Sequence, residues 1–329
     1  MDNFESSLTH MQGDYKKLIS VIIPIYNEEE NIPVLMTEFI KVFSALPNYR
    51  VEFIFVNDGS TDNSWQKIEK LAQGDEKIRG ISFSRNFGHQ AAIEAGLKAA
   101  CGEAVIMMDG DLQHPPAIIP ELIKNWEKGF YVVNTKRLKT SNESLLKRVT
   151  SKFFYWFINK VSDIRLDQGS ADFRLLDRKA VSELVKLKEK DKFYRGLVKW
   201  LGFQVAFVEY DAKQRKSGKS SYTLKKMLTF ARIGITSFSM LPMKIIIFIG
   251  SFLFFGGTLV FLVMLYYKYF INNGEFSGTA ILAAFIILNN GIIIILIGIN
   301  SVYQMTMFKE LKNRPNYIIE ETTNYNRNE

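Results

Sequence analysis

The sequence predicts an α/β domain built on a mainly parallel sheet, followed by two membrane-spanning helices, and three observations predict it. Short apolar runs alternate with helix-compatible segments up to about Pro242. Polar, acidic clusters fall directly after several of those runs, where the loops of a parallel sheet carry function. Residues 245–267 and 276–308 carry no charged side chain at all. The mean hydropathy of −0.02 therefore averages two regimes. With 329 residues, 47% hydrophobic and 13% aromatic, the chain is too apolar for a disordered tail and long enough for one large domain or two small ones.

Strands are expected at 18–25, 51–56, 78–83, 104–108 and 131–133, each a compact apolar run. Between the first two, residues 31–45 place apolar side chains at helical spacing with Pro33 near the first turn, and Pro116 suits the start of a helix running to Lys128. Residues 151–161, SKFFYWFINKV, combine five aromatics with Lys152 and Lys160. Residues 222–241 mix apolar side chains with Lys225, Lys226 and Arg232. Both compositions suit helices lying in a headgroup layer, the alternative for each being an amphipathic helix packed on the sheet, less so for the second, which leads straight into a span.

Each uncharged run exceeds the roughly 20 residues needed to cross about 30 Å of hydrocarbon, so two spans are expected rather than a buried hairpin. Lys225, Lys226, Arg232 and Lys244 precede the first, Lys309, Lys312 and Arg314 follow the second, and the connection around 272–278 has neither Lys nor Arg. That asymmetry puts both termini in the cytoplasm. Residues 1–17 are polar, with no apolar stretch to serve as a signal peptide. The expectation is a multi-pass inner-membrane protein with its large N-terminal region cytosolic. A single cysteine, Cys101, excludes an intrachain disulfide and a cysteine-based zinc site, and is expected to pack as a small apolar residue at a helix end.

Three loops carry chemistry. Asp109-Gly110-Asp111 follows the apolar run AVIMM. Carboxylates at i and i+2 where a strand opens into a loop can approach one hard divalent cation, Mg²⁺ or Mn²⁺, and leave positions for a diphosphate; an ordinary acidic turn is the alternative. Asn57-Asp58-Gly59-Ser60-Thr61-Asp62 follows another run. There Asp58 is positioned to contact a nucleotide, whereas Asp62 is expected to cap the next helix. The third is Tyr26-Asn27-Glu28, after the first run. The balance of 42 Lys and Arg against 34 Asp and Glu, net +8, is concentrated just before the interfacial segments: Lys136, Arg137, Lys139, Lys147, Arg148 and Lys152, then Lys213, Arg215, Lys216 and Lys219. Such clusters suit a lipid phosphate, with general attraction to anionic lipids as the simpler reading.

Taken together, the runs SVIIPIYNEEENI from Ser20, VNDGSTDNS from Val56 and DGDLQHPP from Asp109 resemble glycosyltransferase family 2. The runs SRNFGHQAAIEAGL from Ser84 and ADFRLLDR from Ala171 are similar to its polyprenyl-phosphate branch, which includes dolichol-phosphate mannose synthase. RGLVKWLGF from Arg195, the two expected spans and the tail FKELKNRPNY from Phe308 resemble the bactoprenol glucosyltransferases most, so the likeness covers nearly the whole chain.

The resemblance implies a GT-A fold for the catalytic domain over 1–221, to which the composition adds an interfacial helix near 144–161, an interfacial helix over 222–242, two spans within 243–308 and a cytosolic tail over 309–329. It implies inverting transfer from a nucleotide sugar, UDP-glucose first and UDP-GlcNAc second, to undecaprenyl phosphate, with a divalent metal, Mg²⁺ or Mn²⁺. Pro24, Tyr26 and Glu28 would line the nucleobase and ribose pocket, and Asp58 would read the base. Asp109, Asp111 and Gln113 would surround metal and diphosphate, and Asp172 matches the family's catalytic aspartate. Arg137, Lys147, Ser151 and the mobile-loop Arg215 would meet the acceptor phosphate. Where some relatives are arginine-rich this sequence has Lys147-Arg148, and both are candidates. A homo-oligomer, a tetramer in relatives, is also implied, and no nucleic-acid partner is expected.

Other classes fare worse. Gly218-Lys219-Ser220 is not a P-loop, because the first glycine would fall at Lys213. No G-x-G-x-x-G follows the first strand, against a dinucleotide oxidoreductase. The Q-x-x-R-W motif of processive synthases is absent. A non-catalytic scaffold of a flippase or glycosylation complex is the alternative from a different class, and intact acidic loops argue against it.

Overall fold

The computed structural model describes residues 16–137, 170–190, 192–210 and 278–325, with isolated positions between 255 and 270. Two compact units are present. The first holds the described residues up to Tyr210 together with 315–325, and is organised around one eight-stranded sheet of order β7-β5-β6-β4-β1-β2-β3-β8. Its strands are β1 (Lys17–Ile25), β2 (Tyr49–Asn57), β3 (Ile78–Phe83), β4 (Ala104–Met107), β5 (Val132–Arg137), β6 (Ser170–Asp177), β7 (Val205–Tyr210) and β8 (Ile319–Thr323). The helices are α1 (Asn31–Ser44), α2 (Ser64–Gly74), α3 (His89–Ala99), α4 (Ile119–Glu127), α5 (Arg178–Lys186) and α6 (Tyr194–Trp200).

The centre of the sheet is parallel as expected: β4, β1, β2 and β3 pair in that order through Ile22↔Met107, Ile22↔Ile54 and Phe55↔Gly80. Four of the seven described strand pairings are parallel, as expected, and the three antiparallel ones lie toward the flanks. β6 inserts antiparallel between β4 and β5, and β8 closes the other edge antiparallel to β3, while β5 and β7 pair in parallel. The sheet is mixed. The reason is legible afterwards: β8 reads IEETT, an edge strand with one partner and no continuous apolar run to announce it.

Parallel strands are buried on both faces, so β1 holds Ile19, Val21, Ile22, Ile23 and Ile25 at 0–1% exposure. α1 covers one face with Ile32, Leu35, Met36 and Phe39, the i, i+3, i+4, i+7 stripe of a half-buried helix. Phe39 meets Phe53 of β2 with ring centroids 4.9 Å apart. α3 lies close to β1, because a side chain at Gly96 would collide with Ile22. The helix expected from Pro116 begins as a 3₁₀ turn over Pro116–Ile118 and becomes α4 at Ile119. Asp177 accepts from the Lys179 backbone N–H at 2.8 Å, capping α5, and from the Trp126 indole at 2.8 Å.

Cys101 departs from expectation. It is exposed, its backbone N–H donates to buried Glu52 at 2.7 Å, and its thiol lies 3.4 Å from the Arg79 guanidinium. The polar network of Ser20, Glu52 and Arg79 fills that end of the sheet, leaving no apolar niche for the sulfur.

The second unit is represented by α7 (Gly278–Lys312), a 35-residue helix whose residues 278–308 carry no charge. Among the described residues no helix is long and apolar enough to cross a membrane. Of the first expected span only isolated positions are described, and both expected interfacial helices lie outside the described residues.

Candidate active site

The order of the sheet dictates where a site can form. From β1 the chain moves outward through β2 and β3 on one side, then returns to place β4 on the other, so β1 and β4 flank a topological switch point. Pro24, Tyr26 and Glu28 leave the carboxyl end of β1, Asp58 that of β2, and Asp109 to Gln113 that of β4.

The β1 and β2 loops are sewn together. Asn27, at φ 55°, donates its N–H to the Ser60 hydroxyl at 3.0 Å, and its side-chain oxygen accepts from the Thr61 N–H at 2.8 Å. The Glu28 N–H donates to Ser64 Oγ at 3.0 Å, and the Glu28 carboxylate accepts from Asn31. Asp62 accepts from the backbone N–H groups of Ser64 and Glu29 at 3.0 and 3.2 Å, serving the start of α2 as expected. Burial works to raise the Asp62 carboxyl, but the Ser64 hydroxyl and these N–H groups together hold it below its ordinary value. Tyr26 remains 47% exposed, free to meet a planar ring from the mouth of the crevice.

Asp58 is different. At 4% exposure, its carboxylate accepts from the backbone N–H groups of Phe87 and Gly88 at 2.7 and 3.0 Å. Burial raises its carboxyl above the ordinary value, even with these N–H groups and His89 pulling the other way. The expected contact to a nucleobase must share a carboxylate that already anchors the loop entering α3. Gly59 at φ +65° is required there, since any side chain would strike the Arg85 backbone.

On the β4 side, Asp111 accepts from the Gln113 N–H at 3.1 Å, and Leu112 at φ 61° turns the chain sharply. Asp109 faces two imidazoles: His89 Nε2 lies 3.4 Å from one oxygen, and His114 Nδ1 lies 3.7 Å from the other. His114 is buried, its Nδ1 without a hydrogen bond, and its ring stacks on Phe173 at 5.3 Å. Among the described residues no three His, Cys, Asp or Glu side chains gather as a metal cage. Asp109 and Asp111 form a pair of hard oxygen donors at a strand end. That donor set suits a cation that keeps water and substrate phosphate among its ligands.

Antiparallel β6 brings Asp172 to the same end. Met107 of β4 pairs with Arg174 of β6, so two residues further along each strand stand Asp109 and Asp172. The Asp172 carboxylate is gripped by Arg195 of α6, through Nε and Nη2 at 2.7 Å each, and Arg174 approaches to 3.5 Å. Burial pushes the Asp172 carboxyl up, but Arg195, then Arg174 and His89, together hold it well below the usual carboxylate range. Arg174, fully enclosed, is drawn down to about 10 by burial against the pull of Asp172.

Most of the expected donor-side positions and Asp172 therefore meet at one end of one sheet. Arg137 ends β5. Lys147, Arg148, Ser151 and Arg215 lie outside the described residues. His89, His114, Arg174 and Arg195 were missed as site residues. All four stand inside runs quoted above, and the available signal was a polar residue flanking an acidic loop across the sheet.

The Glycosyl transferase family 2 profile matches residues 20–185. Glycosyltransferase YkcC of Bacillus subtilis is 38% identical over 304 residues, 92% of this chain and 93% of its own. The bactoprenol glucosyl transferase derived from the SfII prophage in Shigella flexneri is 37% identical over 309 residues, covering 92% and 98%. The prophage bactoprenol glucosyl transferase homologue of Escherichia coli K12 is 36% identical over 306 residues, covering 92% and 98%. Among solved structures, the mannosyltransferase PcManGT of Pyrobaculum calidifontis, in complex with GDP-Man and Mn²⁺, superposes with a TM-score of 0.48 at 14% identity over 91% of this chain and 87% of that one.

Proposed function

Because this chain belongs to glycosyl transferase family 2 and is a sugar-transferring enzyme, we propose that it moves a hexosyl group from a nucleotide sugar to a polyprenyl phosphate. Glucose from UDP-glucose is the first choice of donor, supported by relatives of matching length named bactoprenol glucosyl transferase. Undecaprenyl phosphate is the acceptor that follows from the same names. The observation carrying the reading is the meeting of Asp109, Asp111 and Asp172 at one end of the sheet.

In the proposed step an acceptor phosphate oxygen attacks the anomeric carbon, the bond from that carbon to the diphosphate oxygen breaks, and its electron pair leaves with the nucleoside diphosphate. Configuration inverts. A Mg²⁺ or Mn²⁺ ion held by Asp111, with Asp109 and Gln113 beside it, would neutralise charge on the departing diphosphate. Tyr26 and the Glu28 loop would hold the nucleoside at the switch point. A phosphate monoester has its second pKa near 6, so the nucleophile is largely dianionic at neutral pH and needs no base. The double grip of Arg195 and the depressed carboxyl of Asp172 support a positioning role for that residue over general base.

The uncharged runs 245–267 and 276–308 of the sequence support attachment to the membrane, since each exceeds the roughly 20 residues that cross about 30 Å of hydrocarbon. Charge asymmetry around the two uncharged runs supports a cytoplasmic catalytic domain in an inner membrane. Assembly as a homo-oligomer belongs to the same proposal. The test is formation of lipid-linked sugar from UDP-glucose, UDP-GlcNAc and GDP-mannose, each with undecaprenyl phosphate and Mg²⁺ or Mn²⁺. Product from UDP-glucose alone supports the reading; no product from any donor refutes it.

A further inference from the structure

Helix α3 carries three contacts that bear on the site, and only one touches an acidic loop. His89 faces Asp109, Gln90 accepts the Tyr194 backbone N–H at 3.1 Å, and Glu94 sits one turn beyond Gln90 on the same face. The Glu94 side chain is 7% exposed and collects three donors from three segments: Lys98 of α3 at 2.7 Å, Lys192 at 3.1 Å and Asn316 at 2.6 Å. Lys192 is 4% exposed at its side chain and lies just before α6, which carries Arg195. Asn316 belongs to the tail that follows α7.

That tail is fixed to the sheet along its length. Tyr317 stacks on Phe83 at 4.8 Å, the Ile318 carbonyl accepts from the Ser84 N–H at 3.1 Å, and β8 pairs with β3. The Trp65 indole donates to Glu321 at 2.5 Å, and Asn324 donates to the carbonyls of Ala72 and Ile78. Ser84 opens the loop that donates to Asp58 and leads into His89. A buried Lys–Glu pair stabilises little compared with apolar side chains of equal volume. What it supplies is one defined arrangement of the segments it joins.

We propose that Glu94 is a positioning residue: through Lys192, and with Gln90 holding the Tyr194 backbone, it sets α6 so that Arg195 meets Asp172, and Asn316 locks the C-terminal tail into the same carboxylate. The tail is thus part of the catalytic architecture. The kinetic part of this inference rests on the proposed transfer; the geometric part does not.

The experiment uses the full chain in lipid nanodiscs, with amide hydrogen exchange and steady-state kinetics measured side by side. Glu94→Gln leaves Lys192 buried without its counter-charge and can fail to fold, so Glu94→Gln combined with Lys192→Met, which removes both charges, and Asn316→Ala are the decisive variants. Loss of these charged hydrogen bonds should speed exchange of the Tyr194 amide and the first turn of α6 about tenfold. It should also lower kcat about tenfold while KM for the nucleotide sugar stays within about twofold. Wild-type exchange at α6 in both variants overturns the proposal, as does faster exchange with unchanged kcat. An inactive wild type would count against the transfer reading alone, because the exchange arm decides the coupling without turnover.

Discussion

Arg195 holds Asp172 through two parallel hydrogen bonds of 2.7 Å, a fork that fixes both carboxylate oxygens at once. Arg174 stands behind at 3.5 Å. A carboxylate so engaged is a poor proton acceptor and a good positioning group for cationic partners.

Asp172→Asn replaces one accepting oxygen with a donor that faces the Arg195 fork, leaving two arginines without their counter-charge. Turnover should fall at least about 100-fold, and raising the pH from 6 to 9 should not restore it. The check is the pH profile of kcat for the variant. Recovery with rising pH would return Asp172 to the role of base. Arg195→Lys keeps the charge without the fork and should recover only part of the activity.

Under the proposed transfer, Asp111→Ala would remove a hard oxygen ligand where charge builds on the leaving diphosphate, an effect of several kcal/mol, so turnover should fall by about 100-fold or more. EDTA should do the same to wild type, with recovery on adding Mg²⁺ or Mn²⁺. Asp109→Asn should cost less, because His89 and His114 already face that carboxylate. Activity unchanged by EDTA would remove the metal from the mechanism.

Asp58→Ala frees the Phe87 and Gly88 N–H groups, and the loop that enters α3 should loosen. KM for the nucleotide sugar should rise about tenfold, in line with one or two lost charge-assisted hydrogen bonds. Asp58→Asn retains an oxygen for those donors and should lie between. Initial-rate kinetics over a range of donor concentrations separates the three proteins.

Glu94 makes the protein acid-sensitive. Burial works to raise its carboxyl, but Lys98, Asn316 and Lys192 together hold it below its ordinary value of 4.5. A group depressed in the folded state contributes stability that is present above its unfolded value and lost as pH falls through the folded one. The melting temperature of wild type should therefore drop as pH goes below about 4.5. In Glu94→Gln with Lys192→Met that part of the slope should vanish. Thermal melts at a series of pH values decide it.

A sheet with loops at its strand ends is legible in the residue pattern of the chain alone. The apolar runs at β1 to β4 are buried on both faces, and such strands announce themselves as continuous hydrophobic stretches. Asp109, Asp111, Tyr26 and Glu28 follow those runs directly, so sequence position alone placed them at one end of the sheet. Asp62 was legible as a helix-start residue for the same reason: capping is local chemistry.

What could not be read was everything that depends on register across the sheet. Asp172 lies 63 positions after Asp109 in the chain, and only the antiparallel insertion of β6 beside β4 brings them to the same end. Arg195, His89 and Glu94 are ordinary charged or polar residues in helical stretches until packing aims them at Asp172, Asp109 and Lys192. The tail after α7 is the extreme case, since β8 is short and polar, and its pairing with β3 crosses more than 230 residues. Local patterns encode burial and turn chemistry because those act between near neighbours. The partners of a carboxylate are chosen by the fold, because hydrogen bonds and charge act across space without regard to sequence separation.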